Sequence, residues 1–278
     1  IPGAVMTHDL QTDLNVRRTG RPLGQAPTMV FLHGLTDSGS GWPGAERHWG
    51  PTYSVLTLDQ RGHGASPRFT RDQLHQHPGE VMVDDATHIL EQLDEPPVVV
   101  GHSLGGAVAL ATAVRRPELV RALVLEDPAP LGPDDLQRDP TRGEEFLAGV
   151  RDSLEAHSDE ELLRVRREAH PDWPEDELLV TGRAEQQMDL EYLAYGDFKP
   201  ITRWNELFEK LTVPTLVLSG DDFAEVCITE GVERGIAEIA NPAVRVVRIP
   251  GSAHCIRREQ PDGYYAAVDA FLAEHLPG

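Results

Sequence analysis

Cysteine is nearly absent: of 278 residues, only Cys227 and Cys255 carry a thiol. Two cysteines are too few for a disulfide framework and suit free thiols in a reducing compartment, so a cytoplasmic location is expected. Positive charge is also scarce, with 25 Lys and Arg against 46 Asp and Glu and a formal net charge of -21. Such a surface repels a phosphate backbone or an anionic bilayer, which argues against nucleic-acid and membrane partners. No apolar run approaches the roughly 20 residues of a membrane-spanning helix. Ile1-Pro2-Gly3-Ala4-Val5-Met6 lacks the basic start and long apolar stretch of a secretory signal, although a start at Ile leaves room for a segment trimmed ahead of it. There is no internal repeat and no low-complexity tract.

What is present suits one large α/β domain with room for an inserted subdomain: 40% of the residues are hydrophobic and 26% charged. The chain is organised around residues 97–112, where a β-branched apolar run stops at a Gly-flanked serine and an Ala-rich helical segment follows at once. Gly101-His102-Ser103-Leu104-Gly105 matches G-x-S-x-G, the strand-turn-helix elbow that lifts a serine hydroxyl above a sheet. Side chains at Gly101 or Gly105 would collide as strand and helix pack at the bend. Ser103 is therefore the candidate nucleophile.

Along the chain, residues 7–18 alternate loosely and fit an opening hairpin or short strand pair. Buried strands are expected at Thr28-Met29-Val30-Phe31-Leu32, Tyr53–Leu58 and Arg121–Leu125, and the main domain resumes with Val213–Gly220. The Gly-rich loop His33-Gly34-Leu35-Thr36-Asp37-Ser38-Gly39 follows the first of these. It lies one strand and one crossover before the serine elbow, where acyl-transfer enzymes on open α/β sheets place an oxyanion-hole donor. Asp59-Gln60-Arg61-Gly62-His63-Gly64-Ala65-Ser66 is read as a turn that braces neighbouring loops, with His63 structural. Helices are expected near 79–93, 229–240 and 260–275, with a strand at 244–249. His254 lies on the loop Pro250-Gly251-Ser252-Ala253-His254-Cys255, where a base can reach Ser103.

In this order His33-Gly34, the Asp59–Ser66 turn, the Ser103 elbow with Gly106, and the late His254 resemble the α/β-hydrolase family, over residues 28–130 and 212–276. The resemblance implies a mostly parallel sheet of about eight strands flanked by helices, with nucleophile, acid and histidine in that order along the chain. Ser103 disfavours the family's Asp-nucleophile dehalogenases and epoxide hydrolases. The core domain is expected at 1–130 and 206–278. A helical cap at 131–205 would follow the sixth strand, with Trp173, Tyr192, Tyr195, Phe198 and Trp204 as candidate pocket aromatics or cap core.

A serine needs a histidine to take its proton, and the histidine needs a carboxylate to fix its tautomer. The commonest family slot, after the seventh strand, is occupied here by Phe223, with Asp222 one residue early and Glu225 two late. Some family members, including certain lactonases, take the acid from the end of the sixth strand, which is Glu126 here. Glu126 follows five mainly apolar residues and would be costly to bury unpaired. Glu126 is therefore favoured, Asp222 is the alternative, and Asp127 and Glu225 come behind them.

The expectation is a serine hydrolase forming an acyl-enzyme on Ser103 from a small ester or lactone, with His254 shuttling the proton. The backbone amides of Leu35 and Leu104 would form the oxyanion hole, and no cofactor or metal is expected. Carbon-carbon bond hydrolysis, cofactor-free haloperoxidase chemistry and a non-catalytic ligand-binding role are the alternatives. The sequence sets neither the substrate nor the oligomeric state.

Overall fold

The computed structural model describes residues 10–129, 138–222 and 225–276. Phe223 and the expected start of the cap, 131–137, lie outside the described residues. Seven strands form one sheet: β1 Val16–Gly20, β2 Thr28–Leu32, β3 Ser54–Leu58, β4 Val98–His102, β5 Ala122–Glu126, β6 Thr215–Gly220 and β7 Val244–Ile249. Their order across the sheet is β1-β3-β2-β4-β5-β6-β7. Among the described strands only β1 is antiparallel, and it pairs with β3 at the edge of the sheet. Of the segment 7–18 expected to open as a hairpin or short strand pair, residues 7–9 lie outside the described residues and 16–18 belong to this edge strand. Seven strands are described where about eight were expected.

The helices are α1 Pro43–Trp49, α2 Arg71–His75, α3 Pro78–Leu90, α4 Leu104–Arg115, α5 Pro140–Glu155, α6 Asp159–Ala169, α7 Glu175–Gln186, α8 Leu190–Tyr195, α9 Trp204–Lys210, α10 Glu230–Ile239, α11 Ile256–Glu259 and α12 Pro261–His275. Strand residues alternate between two cores, as the two-residue pleat requires. Leu32, Val99, Leu123 and Leu125 face one core, shared with α3 and α4. Phe31, Val98, Val100 and Val124 face the other, shared with α1 and α12. This parity decides which way each strand-end carboxylate points. Helices α5–α8 fall between β5 and α9 in the chain, and the described residues 138–203 add no strand to the sheet.

Candidate active site

Strand β4 stops at His102, and Ser103 takes φ 51 and ψ -117 before α4 begins. A non-glycine residue in that region carries roughly 1–3 kcal/mol of strain, which the surroundings must hold in place. They hold it tightly: a Cβ on Gly105 would sit 2.2 Å from the Leu32 carbonyl oxygen, and one on Gly101 would sit 2.5 Å from the Gly105 oxygen. The expected collisions at both glycines are therefore present. The Ser103 amide donates to the Glu126 carbonyl oxygen at 3.0 Å, which locks the elbow to the end of β5.

The loop after β2 approaches from the other side. A Cβ on Gly34 would meet His102 Nδ1 at 3.0 Å and Ser103 Cβ at 3.4 Å, so glycine lets Leu35 close over the serine. Two buried imidazoles brace this loop. His33 Nε2 accepts from the Gln60 amide at 3.0 Å, so its Nδ1 proton is donated to the Gly34 oxygen at 2.8 Å. His63 lies 2.6 Å from the Leu35 oxygen through Nε2 and 2.9 Å from the Arg61 oxygen through Nδ1. Burial, with His33 alongside, pushes His63 down to about 3. The neutral ring has one proton, so it donates to one of these two carbonyl oxygens. Leu104 opens α4, so its amide has no carbonyl partner one turn back in the helix.

His254 lies on the loop between β7 and α11, and its Nδ1 is 2.5 Å from Asp127 Oδ2. Asp127 is fully buried, with φ 38, a second non-glycine residue in the left-handed region at this site. Its carboxylate accepts from the Cys227 amide at 2.8 Å and from the Ile228 amide at 2.9 Å. Burial alone would lower His254, but the Asp127 hydrogen bond and the Cys227 side chain hold it well above the usual histidine value of 6.5. His102 also packs beside His254, with ring centroids 4.8 Å apart. Burial and the nearby Arg257 keep His102 well below 6.5.

Glu126, the acid favoured from the sequence, does not face His254. Even-numbered β5 residues point to the α12 side, and there Glu126 accepts from the Arg257 amide at 2.8 Å and from Arg257 Nη1 at 3.0 Å. Asp222, the alternative, is exposed, and its amide donates to the Ser252 oxygen at 3.2 Å. Glu225 lines the cavity, and Asp127 is the candidate that meets His254 Nδ1.

The sequence reading missed a buried charge network directly behind the histidine loop. Arg257 Nη2 donates to Asp37 at 3.1 Å and to the Gly41 oxygen at 3.0 Å. Arg258 donates to Asp37 at 2.7 Å and, through Nε, to Glu177 of α7 at 2.8 Å. Burial would raise the Asp37 carboxyl, but Arg258 and Arg257 together hold it below its ordinary value. Two adjacent arginines thus join the histidine loop, the end of β5, the loop after β2 and α7. The available signal was Arg257-Arg258 close behind His254, which a surface helix would otherwise explain.

A cavity of about 720 Å³ opens over Ser103, Leu35, Leu104 and His254. Phe146, Val150, Trp173 and Phe198 supply apolar wall, and Arg142, Arg166, Glu145 and Glu185 supply charge. Of the five aromatics singled out from the sequence, Trp173 and Phe198 line this cavity. Tyr192 is packed in the core, Tyr195 sits under Arg138, and Trp204 lines a second, small cavity.

The profile of the alpha/beta hydrolase family matches residues 29–267. The chain belongs to this family. Among its relatives, the mouse sn-1-specific diacylglycerol lipase ABHD11 is 29% identical over 269 residues, covering 89% of this chain and 81% of the mouse protein. Lipase LipV of Mycobacterium tuberculosis is 40% identical over 117 residues, 42% of each chain. In structure, E-2-(acetamidomethylene)succinate hydrolase superposes with a TM-score of 0.77 at 21% identity, covering 93% of this chain and 94% of that one. A marine microorganism esterase superposes with a TM-score of 0.69 at 24% identity, covering 93% and 99%. At these identities the two structures bear on the fold, and the α/β-hydrolase family member described here has the mostly parallel sheet expected of it.

Proposed function

We propose that the protein is a serine hydrolase that cleaves an uncharged carboxylic ester or lactone through an acyl-enzyme on Ser103. The observation that carries this reading is His254 paired with buried Asp127 beside a strained Ser103, with serine and histidine both lining one cavity. Ser103 Oγ attacks the substrate carbonyl carbon while His254 Nε2 takes the hydroxyl proton. The charge on the former carbonyl oxygen is met by the Leu35 and Leu104 amides. His254 then returns the proton to the leaving alkoxide, and a water repeats the cycle to release the acid. Asp127 keeps the ring proton on Nδ1 and stabilises the imidazolium. A cavity of about 720 Å³ with apolar walls suits a partly apolar acyl or alcohol part, and the similarity to the mouse diacylglycerol lipase supports an ester.

Residues 131–205 serve as the cap that sets substrate choice, since Phe146, Trp173 and Phe198 come from this insertion and line the cavity. A cytoplasmic location fits the two free cysteines. No helix among the described residues is long and apolar enough to cross a membrane.

A fluorophosphonate probe followed by peptide mapping tests the enzyme reading: the label is expected on Ser103, and a folded protein without it is a ligand-binding protein instead. Acyl esters, lactones and vinylogous diketones assayed on one preparation test the substrate class. Turnover of the diketones alone replaces ester cleavage with carbon-carbon hydrolysis.

A further inference from the structure

The Cys227 thiol takes no bond-making or proton-carrying step in the acyl-transfer scheme, yet it lies beside the triad histidine and acid. Among the described residues, a carboxylate oxygen of Asp127, the sulfur of Cys227 and a ring nitrogen of His254 all lie within 4.8 Å of one another. One carboxylate, one thiol and one imidazole form a donor set that zinc-class ions favour. At bond lengths of about 2.0–2.3 Å, a tetrahedral ion needs its donors roughly 3.3–3.8 Å apart, so these three need to shift by about 1 Å or less. We propose that Asp127, Cys227 and His254 form a binding site for a borderline divalent cation of the zinc class, and that occupancy switches the hydrolase off.

Three observations support the assignment. The donors are supported from behind, because the segment that carries the thiol also holds the carboxylate through the Cys227 and Ile228 amides, the kind of outer contact that orients metal ligands. The site is reachable, because Cys227 and His254 both line the cavity over Ser103. The charge also balances: Cys227 gives its proton to solvent, and a divalent ion with one thiolate and one carboxylate is neutral overall, which suits a half-buried position.

Ligation disables the base by either ring nitrogen. Bound through Nδ1, the ion displaces the Nδ1 proton, the ring proton then sits on Nε2, and Nε2 has no lone pair to accept the Ser103 proton. Bound through Nε2, the ion occupies that lone pair directly. The binding itself does not depend on the hydrolase reading; only the loss of activity does.

The test uses the whole folded protein with zinc chloride and cobalt chloride as probes. Calorimetry is expected to show one zinc per chain, and the cobalt-loaded protein a sulfur-to-metal charge-transfer band. Zinc should suppress p-nitrophenyl acetate turnover, with recovery on adding EDTA. Cys227→Ser should lose the cobalt band and bind zinc at least roughly 10- to 100-fold more weakly, the loss seen when even an outer-shell partner is removed. Each variant's zinc sensitivity is read against its own metal-free rate. Cys255→Ser should keep the band, although the Cys255 sulfur lies 4.0 Å from His102 Nε2. Absence of the band in the unsubstituted protein overturns the site, and so does a band that survives Cys227→Ser. These two readouts need no turnover, so a protein that binds zinc but cleaves no ester refutes the hydrolase reading and leaves this one standing.

Discussion

Glu126 and Asp127 are neighbours in sequence whose carboxylates serve opposite sides of one sheet. Glu126 Oε2 takes a hydrogen bond from Arg257 at 3.0 Å, and Asp127 Oδ2 meets His254 Nδ1 at 2.5 Å. One carboxylate holds the histidine loop in place and the other faces the histidine itself, so removing each should fail in a different way.

Asp127→Asn should lower turnover by roughly 10⁴ with little change in KM, because the amide favours the wrong imidazole tautomer. Glu126→Gln should act mainly on stability, since breaking a buried ion pair costs roughly 3–5 kcal/mol. Asp222→Asn should leave both nearly unchanged. Ester turnover and thermal melting of the three variants decide the matter: a dead Asp222→Asn beside an active Asp127→Asn reverses the assignment.

The pH profile follows from the raised His254. An imidazolium cannot accept the Ser103 proton, so kcat/KM should fall as pH drops, with its midpoint above 6.5. Stability has the opposite sign: protonation of the folded form stabilises it, fully below about 6.5, and the gain is lost as pH rises through the higher folded value. Asp127→Asn removes the main raising interaction and should move the activity midpoint downward. An unchanged midpoint separates His254 from Asp127.

Leu35→Pro deletes one N–H and should cost roughly 10²–10³ in turnover, whereas Leu104→Ala keeps its amide and should change the rate only modestly. Rates are compared on samples whose circular dichroism matches the parent. A folded Leu35→Pro protein with a near-normal rate removes Leu35 from the oxyanion hole.

Glu177→Gln should loosen α7, because Arg258 Nε loses its charged partner at 2.8 Å. A buried group left short of its partner costs about 1–3 kcal/mol, more when it is charged. Faster hydrogen exchange confined to α7 and a lower melting temperature are expected. Exchange unchanged in α7 means that the contact contributes nothing to its docking.

The fold was legible because its signals are local. Apolar runs ended at turn residues, and the strand expected at 244–249 is β7 at Val244–Ile249. The elbow was legible because the glycines around Ser103 are forced by backbone contacts only ångströms away. The carboxylate that faces His254 was not, since the choice between Glu126 and Asp127 depends on which face of β5 His254 approaches. The β5 sequence is buried on both faces, so its pattern carries no sidedness. The arginine network was hidden for the same reason: Arg257 and Asp37 are 220 residues apart, and neither has a sequence neighbour that marks it as buried.

Arg258 reaches Asp37 in the loop after β2 and Glu177 in α7 with the two ends of one guanidinium. This limits how freely the insertion can be exchanged for that of another hydrolase. A transplanted segment must bring a carboxylate to the place of Glu177, or the core inherits a buried cation made for a partner it no longer has. Chimeras built on this scaffold should therefore sort by that single charge before they sort by the shape of their pockets.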